Sequence, residues 1–317
     1  MSRHEVASVG ASVRRNDARG KVTGETRYGG DLAGSDALHV AVLRSELPHA
    51  EIRGIDTAKA KALPGVVAVY TAADVPGTNR HGLIRRDQEL IASRFVRYTG
   101  DAVAVVVAET AKIARRALKL IDVDYLPLPG VFSIDEALAP DAPPIHPIGN
   151  VLTRKPIRRG DAEAAMREAF VTVEETYHTQ AVDHAFLDIE AGMAYMDGDT
   201  LTLHASGQWV HEERRLLALA LGLPQERVRI IQPATGGAFG GREDLGIQIY
   251  LALAAYKTGR KVRQDYDRAE SMIARHKRHP LRIRYQLGAD REGNLVAAKV
   301  TVHADTGAYA STGDAVM

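Results

Sequence analysis

No cysteine occurs in the 317 residues. Disulfides, thiolate nucleophiles, Cys-ligated zinc and Cys-ligated iron–sulfur clusters are therefore excluded within the chain, and any redox chemistry it takes part in must borrow its electron carriers. Net charge is nearly absent as well: 41 Lys and Arg residues face 40 Asp and Glu, a formal +1. That balance gives no broad electrostatic footprint for nucleic acid. The local basic cluster Arg275, Lys277 and Arg278 reads as a solvated turn or a partner contact. Long apolar runs are missing too, since the longest, Ala102 to Ala108, falls far short of the ~20 residues of a bilayer span and reads as a buried strand. Arg3, Arg14, Arg15 and Arg19 open the chain with no apolar run behind them, so neither a secretory signal nor an anchor is visible and the expected location is the cytoplasm.

What is present is the composition of an ordinary globular protein, 45% hydrophobic and 26% charged, at a length suited to two domains. Leu38 to Arg44, Val66 to Thr71 and Val96 to Ala108 are rich in β-branched residues and predict strands. Ala111 to Asp122 predicts a helix, with Ile113, Ala117, Leu120 and Ile121 on one face and Lys112, Arg115, Arg116 and Lys119 on the other. Between Tyr125 and Asn150, prolines 127, 129, 140, 143, 144 and 147 exclude a central strand or a long helix. This stretch reads as a connector, with one helical turn at Ser133 to Leu138 capped by Ser133 and Glu136.

Beyond it, Asp161 caps a helix running through Phe170, and strands are predicted at Thr172 to His178, Ala191 to Met196 and Leu201 to Ala205. A helix from Val210 to Leu221 stops at Gly222 before Pro224. Strand Arg227 to Gln232, a glycine loop, an apolar helix to about Tyr256 and two long strands, Leu281 to Leu287 and Asn294 to Ala304, complete the order, the last two joined by a turn at Asp290 to Asn294. There is no internal repeat. The fold class is α+β.

The strongest local signal is Gly236, Gly237, Ala238, Phe239, Gly240, Gly241. Glycines between a strand and a helix let the backbone take positive φ and approach a ligand, and a helix N-terminus beside them offers amides to an oxo or phosphate group. Glu243 and Asp244 then fall in the first helical turn, where the dipole favours carboxylates on structural grounds alone. A Walker-type loop is excluded because Arg242 and Glu243 stand where a lysine and a magnesium-binding hydroxyl are required. A Rossmann fingerprint needs a different glycine spacing and a second strand after the helix. The 12 histidines show no metal-ligand spacing, so no metal is assigned to side chains, and His184 reads as a satisfied structural histidine.

With the loop, the segment Ser206-Gly207-Gln208, the helix end Leu221-Gly222-Leu223-Pro224 and the later Asp305-Thr306-Gly307-Ala308-Tyr309, the chain resembles the molybdopterin-binding large subunit of the xanthine dehydrogenase and aldehyde oxidase family. Its front resembles that family's α/β hammerhead domain, through Lys21 to Gly24, Tyr28, Asp31, the Arg44 to Ala50 turn, Leu63 to Gly65 and Gly100-Asp101. The resemblance implies a hammerhead domain over residues 1–125, the proline-rich connector over 126–150 and an incomplete first molybdopterin-binding domain over 151–317. It implies that Gln208 hydrogen-bonds the apical oxo ligand of molybdenum and that Gly237, Ala238, Phe239, Gly240 and Gly241 lie against metal and pterin. Glu243 matches the position where purine-oxidising members place a carboxylate that orients the heterocycle.

Where the family carries Leu-Glu-Pro, this chain has Leu187-Asp188-Ile189, and that segment is given no site role. The implied cofactor is molybdopterin, in its plain or cytosine dinucleotide form. The implied partners are an iron–sulfur subunit, an FAD subunit and a complementary C-terminal molybdopterin-binding half that carries the general-base glutamate, so the chain alone is expected to be inactive. The implied reaction is hydroxylation of a purine, a nicotinate-like heterocycle or an aldehyde with oxygen from water; a scaffold or assembly module that keeps the hammerhead fold without metal is the alternative.

Overall fold

A computed structural model describes residues 9–316, so Arg3 and Met317 lie outside the described residues. The strands, in chain order, are β1 (Leu38–Arg44), β2 (Ala50–Asp56), β3 (Val66–Tyr70), β4 (Phe95–Val96), β5 (Ala102–Ala108), β6 (Asp122–Pro127), β7 (Val171–His178), β8 (Ala191–Asp197), β9 (Thr200–Ala205), β10 (Val228–Ile231), β11 (Val262–Asp265), β12 (Leu281–Ala289) and β13 (Leu295–Ala304). They form a seven-stranded sheet in the order β10-β9-β8-β11-β1-β5-β3 and two three-stranded sheets, β13-β12-β7 and β4-β2-β6. In the large sheet β10 runs parallel to β9 and β11 parallel to β1, while the other neighbours are antiparallel. Because β1 pairs with β11 at Leu38↔Val262 and His39↔Arg263, one ladder joins strands from before and after the proline-rich stretch. The architecture is the mixed α and β arrangement that the sequence implies.

The core lies on both faces of this sheet. The apolar run of β5 has a physical cause: Val105 and Val107 pack into one cluster, Ala104, Val106 and Ala108 into another, and a strand covered on both faces needs apolar residues at every position. On one side lies the helix Ile247–Thr258, apolar around its circumference and buried from Ile247 to Ala255, as a helix enclosed by other elements must be. On the other side Ala114 and Ala117 of the helix Ala111–Leu118 pack against Val69, Ala104 and Val106.

Local stop and start chemistry behaves as the residues dictate. The helix Val210–Leu221 ends at Gly222 with φ +66°, and Asp161 Oδ1 accepts a hydrogen bond from the Ala164 N–H at 2.9 Å. Ser133 accepts from the Glu136 N–H at 3.2 Å, but the Glu136 carboxylate reaches the Phe132 N–H at 2.7 Å rather than closing on Ser133.

Several segments differ from the sequence reading. The expected strand Val96 to Ala108 is two strands, broken at Gly100, whose φ of +127° no strand residue adopts. The helix from Ala111 ends at Leu118, and Asp122–Pro127 continues as β6. Its proline is tolerated because β6 is an edge strand beside β2 alone. The strands β2 and β11 and the helix Arg268–Ala274 carry polar or charged residues at half their positions, and tertiary pairing rather than local pattern makes them regular. Among the described residues no helix is long and apolar enough to cross a membrane.

Candidate functional site

Strand direction gathers the site. β9 and β10 are parallel and end at the same edge of the sheet, β8 is antiparallel to β9 and so begins there, and β11, antiparallel to β8, ends there. The connections Ser206-Gly207-Gln208 after β9, residues 232–246 after β10 and residues 183–190 before β8 therefore meet, although far apart in sequence.

The glycine loop is not a helix N-terminus. The following helix starts at Ile247, behind Gly246, so Glu243 and Asp244 lie in the turns of the loop and not in a first helical turn. The reason is local: Gly246 donates its N–H to the Gln248 side chain at 2.8 Å, and the loop closes earlier through the Gly241 N–H to Ala238 C=O bond at 2.8 Å. Anion-binding capacity resides instead in the loop backbone. Among the described residues the N–H groups of Gly237, Ala238, Phe239 and Gly240 donate to nothing. Gly237 and Gly240 have φ of +113° and +90° and Phe239 has φ +53°, a left-handed conformation uncommon for an aromatic residue. A Cβ on Gly237 would meet the Phe186 Cβ at 2.9 Å, whereas the Phe239 ring is 75% exposed. The loop is thus packed on its inner side and open on its outer side.

Gln208 stands beside it. Its backbone N–H donates to the Arg242 C=O at 3.0 Å, and its Oε1 accepts from the Arg242 N–H at 3.1 Å. Oε1 is thus engaged, the residue is exposed, and the Nε2 group, a donor only, makes no hydrogen bond among the described residues. The Glu243 carboxylate makes no hydrogen bond or ion pair among the described residues, and its Oε1 lies 3.9 Å from where a Cβ on Gly240 would sit. Gln208, Gly237 to Gly241 and Glu243 therefore share one neighbourhood. A cavity of about 310 Å³ behind the loop, lined by Arg44, Glu190, Asp244, Tyr250, Tyr266 and Tyr309 among others, includes Gly241 but not Gln208, Phe239 or Glu243.

Beneath the loop is a charged layer that the sequence reading did not assemble. Asp188 accepts from the Gly236 N–H at 3.1 Å and pairs with Arg242 at 3.7 Å, and Arg242 also donates to the Asp188 C=O. Two guanidinium groups lie over the Phe186 ring, Arg242 at 4.0 Å and Arg275 at 4.1 Å. Arg275 pairs with Asp183 at 2.8 Å and with Glu190 at 3.0 Å, so it is a buried anchor and not part of a solvated turn; Lys277 pairs with Asp183 at 3.0 Å, and Arg278 alone of the cluster is exposed. Asp188, at the departure from Leu-Glu-Pro, holds the glycine loop. His184 is not a satisfied histidine: its Nδ1 is buried without a partner among the described residues. Burial, with His276 and Arg275 close by, holds it down to about 4.

Glu213 is a further buried group, 1% exposed, tucked under Gly207, where a Cβ would collide with its carboxyl. Burial pushes it up to about 7. No three His, Asp or Glu side chains come close enough to hold a metal ion among the described residues.

Residues 145–317 match the molybdopterin cofactor-binding domain, and residues 23–129 match the a/b hammerhead domain of aldehyde oxidase and xanthine dehydrogenase. The chain belongs to this family. It is 44% identical, over 96% of its length, to a probable xanthine dehydrogenase subunit of Bacillus subtilis, and 39% identical, over 98%, to a nicotinate dehydrogenase large molybdopterin subunit of Eubacterium barkeri. It spans 41% of the first relative's length and 73% of the second's. The structure superposes on aldehyde oxidoreductase from Desulfovibrio gigas with a TM-score of 0.87 at 30% identity, covering 92% of this chain and 34% of that one. The family's two domains here share the seven-stranded sheet, and the glycine loop, Gln208 and the Asp188 segment all fall within the molybdopterin cofactor-binding match. Sequence reasoning missed Phe186, Asp188, Glu190, Glu213 and Arg275. Only Asp188 had a signal, its place in the departure from the family pattern, because burial of a charge leaves no local mark.

Proposed function

We propose that this chain is the molybdenum-cofactor-binding part of a cytoplasmic hydroxylase that oxidises N-heteroaromatic or aldehyde substrates with oxygen from water. The observation that carries the reading is the unengaged Nε2 donor of Gln208 together with the unpaired amides of Gly237 to Gly240. These donors suit an oxo-bearing, anionic pterin–metal group, with the Glu243 carboxylate as an acceptor side chain beside them. When bound, the cofactor supplies the two-electron acceptor and the oxygen drawn from water. This chain's residues bind and orient: Gln208 donates toward the metal's oxo ligand, the loop backbone from Gly237 to Gly241 lies against the group, and Glu243 offers its carboxylate to a substrate ring N–H. In this reading the cofactor takes the plain or cytosine dinucleotide form, and partners supply iron–sulfur clusters, FAD and the complementary molybdopterin-binding half with its general-base glutamate. The chain alone is then inactive. N-heteroaromatic substrates rank first because only they give Glu243 a hydrogen-bond partner, which an aliphatic aldehyde lacks.

The test is turnover of the assembled, molybdenum-loaded complex. Gln208→Ala is expected to lower it by roughly one to three decades, the scale for losing one preorganised donor, with folding retained. Glu243→Gln is expected to lower catalytic efficiency for xanthine by about one to two decades, from loss of a charge-assisted hydrogen bond of ~1.5 to 3 kcal/mol, while an aromatic aldehyde responds little. Unchanged turnover in Gln208→Ala would remove Gln208 from the metal, and an unchanged xanthine-to-aldehyde ratio would remove the ground for ranking heterocycles first.

A further inference from the structure

Gln208 is useful to an oxo ligand only if its amide is turned the right way round. A glutamine amide presents a donor from one end and an acceptor from the other, and in water the two orientations are close in energy. One bond decides between them here, the Arg242 N–H donating to Gln208 Oε1 at 3.1 Å, backed by the Gln208 N–H donating to Arg242 C=O at 3.0 Å. Where that backbone unit sits depends on what holds residue 242.

Its side chain is the anchor. The residue is 4% exposed, and its guanidinium is stacked on Phe186 at 4.0 Å, paired with the Asp188 carboxylate at 3.7 Å and donating to the Asp188 C=O. Asp188 in turn accepts the Gly236 N–H at 3.1 Å, so one ion pair ties both ends of the glycine loop to the segment before β8. Stacking, ion pair and carbonyl bond together need a flat cation with several donors; a lysine can satisfy one of the three. A second arginine also lies on the Phe186 ring, Arg275 at 4.1 Å, itself held by Asp183 and Glu190.

We propose that Arg242, clamped by Asp188 and Phe186, is the positioning residue that orients the Gln208 amide with its donor end free and holds both ends of the glycine loop in register. The proposal rests on the cofactor reading for its purpose but not for its geometry. In this role Arg242 acts through Gln208 and the loop.

Two measurements test it separately. In the purified chain, hydrogen exchange followed by mass spectrometry reads the peptides covering 206–208 and 236–246. Arg242→Met and Asp188→Asn are expected to speed exchange there by at least about tenfold while β8 and β9 keep their protection, and Arg242→Lys is expected to fall between them and the wild type. In the double variant Arg242→Met, Asp188→Leu no buried charge is left unpaired, so the melting temperature recovers toward wild type, yet exchange in both peptides stays fast. Recovery of protection along with the melting temperature would show that the pair serves stability alone and would overturn the proposal, as would wild-type exchange in Arg242→Met or Asp188→Asn.

In the molybdenum-loaded complex, Arg242→Lys is expected to keep its molybdenum content and its KM and to lose about tenfold or more in kcat. An unchanged kcat in that variant would overturn the proposal. A native complex that holds no molybdenum, with the exchange results as expected, would sink the cofactor reading and leave the positioning role standing.

Discussion

The central sheet and the outer sheet β13-β12-β7 are built from similar residues and end in opposite environments. Every residue of β5 is buried, while every residue of β7 is exposed. In the outer sheet the register places Tyr177, Ile283 and Val302 abreast, with Val173, Leu287 and Ala298 in a second row and Glu175, Tyr285 and Val300 in a third. One face is therefore open and apolar except at Glu175. The other face carries Glu174, Arg284, Gln286 and Lys299 and is covered at one end by the helix Ala162–Glu168, where a Cβ on Gly288 would meet Ala169 and Met166. β-branched content announces a strand; what the strand packs against is decided elsewhere in the chain.

The largest expected effect separates the two sheets by burial. Val105→Asp places an unpaired charge between the two layers covering β5, where the wild-type residue is fully buried, and is expected to cost ~4 kcal/mol or more or to prevent folding. Val300→Asp, at a position 44% exposed on the outer sheet, should cost less than ~1 kcal/mol. Urea denaturation of the two variants measures both; equal losses would mean that the outer face is covered in solution.

A second effect, of intermediate size, concerns charge buried at the site's edge. Glu213 has a folded value of about 7 against the ordinary 4.5. Between those values the folded state binds more protons than the unfolded state, so stability falls as pH rises from about 4.5 to 7 and the penalty is complete above 7. Glu213→Gln is therefore expected to match wild type near pH 4 and to exceed it by on the order of 2 to 3 kcal/mol at pH 8. Melting curves at the two pH values check this, and a variant less stable than wild type at pH 8 would show that the ionised carboxylate is held by partners.

The smallest effects come from one kind of cap placed on each sheet. Thr110 caps the helix on the central sheet by accepting the Ile113 N–H at 3.2 Å, and Asp161 caps the helix on the outer sheet at 2.9 Å. Alanine at either should cost ~1 kcal/mol. Hydrogen exchange should rise across β12 and β13 only for Asp161→Ala, since that helix packs on those strands; a spread into β5 would mean the two sheets open together.

Much of this was legible beforehand where one residue type dictates one local answer. Gly222 stops a helix, Asp290, Gly293 and Asn294 make a hairpin turn with Gly293 at φ +86°, and the apolar run of Ala102 to Ala108 forms a strand buried on both faces. Strand direction was not legible, and it is what brings Asp188 and Arg242 together across 54 residues. Nor was the start of the helix at Ile247 rather than at Arg242, because the Gln248 side chain that satisfies the Gly246 N–H looks in the sequence like any other interior glutamine of a helix. Arg275 looked like part of an ordinary surface charge run, and only burial against Phe186, Asp183 and Glu190 separates it from Arg278.

If the proposed function holds, molybdenum sits at the loop edge beside Gln208. Crystals of the complex purified from its native source, measured with anomalous diffraction on either side of the molybdenum absorption edge, test it most directly. The account predicts one molybdenum peak per chain, one ligand oxygen away from Gln208 Nε2 and beside Phe239 and Gly240. A peak elsewhere on the chain, or none in a complex that turns over substrate, would contradict it.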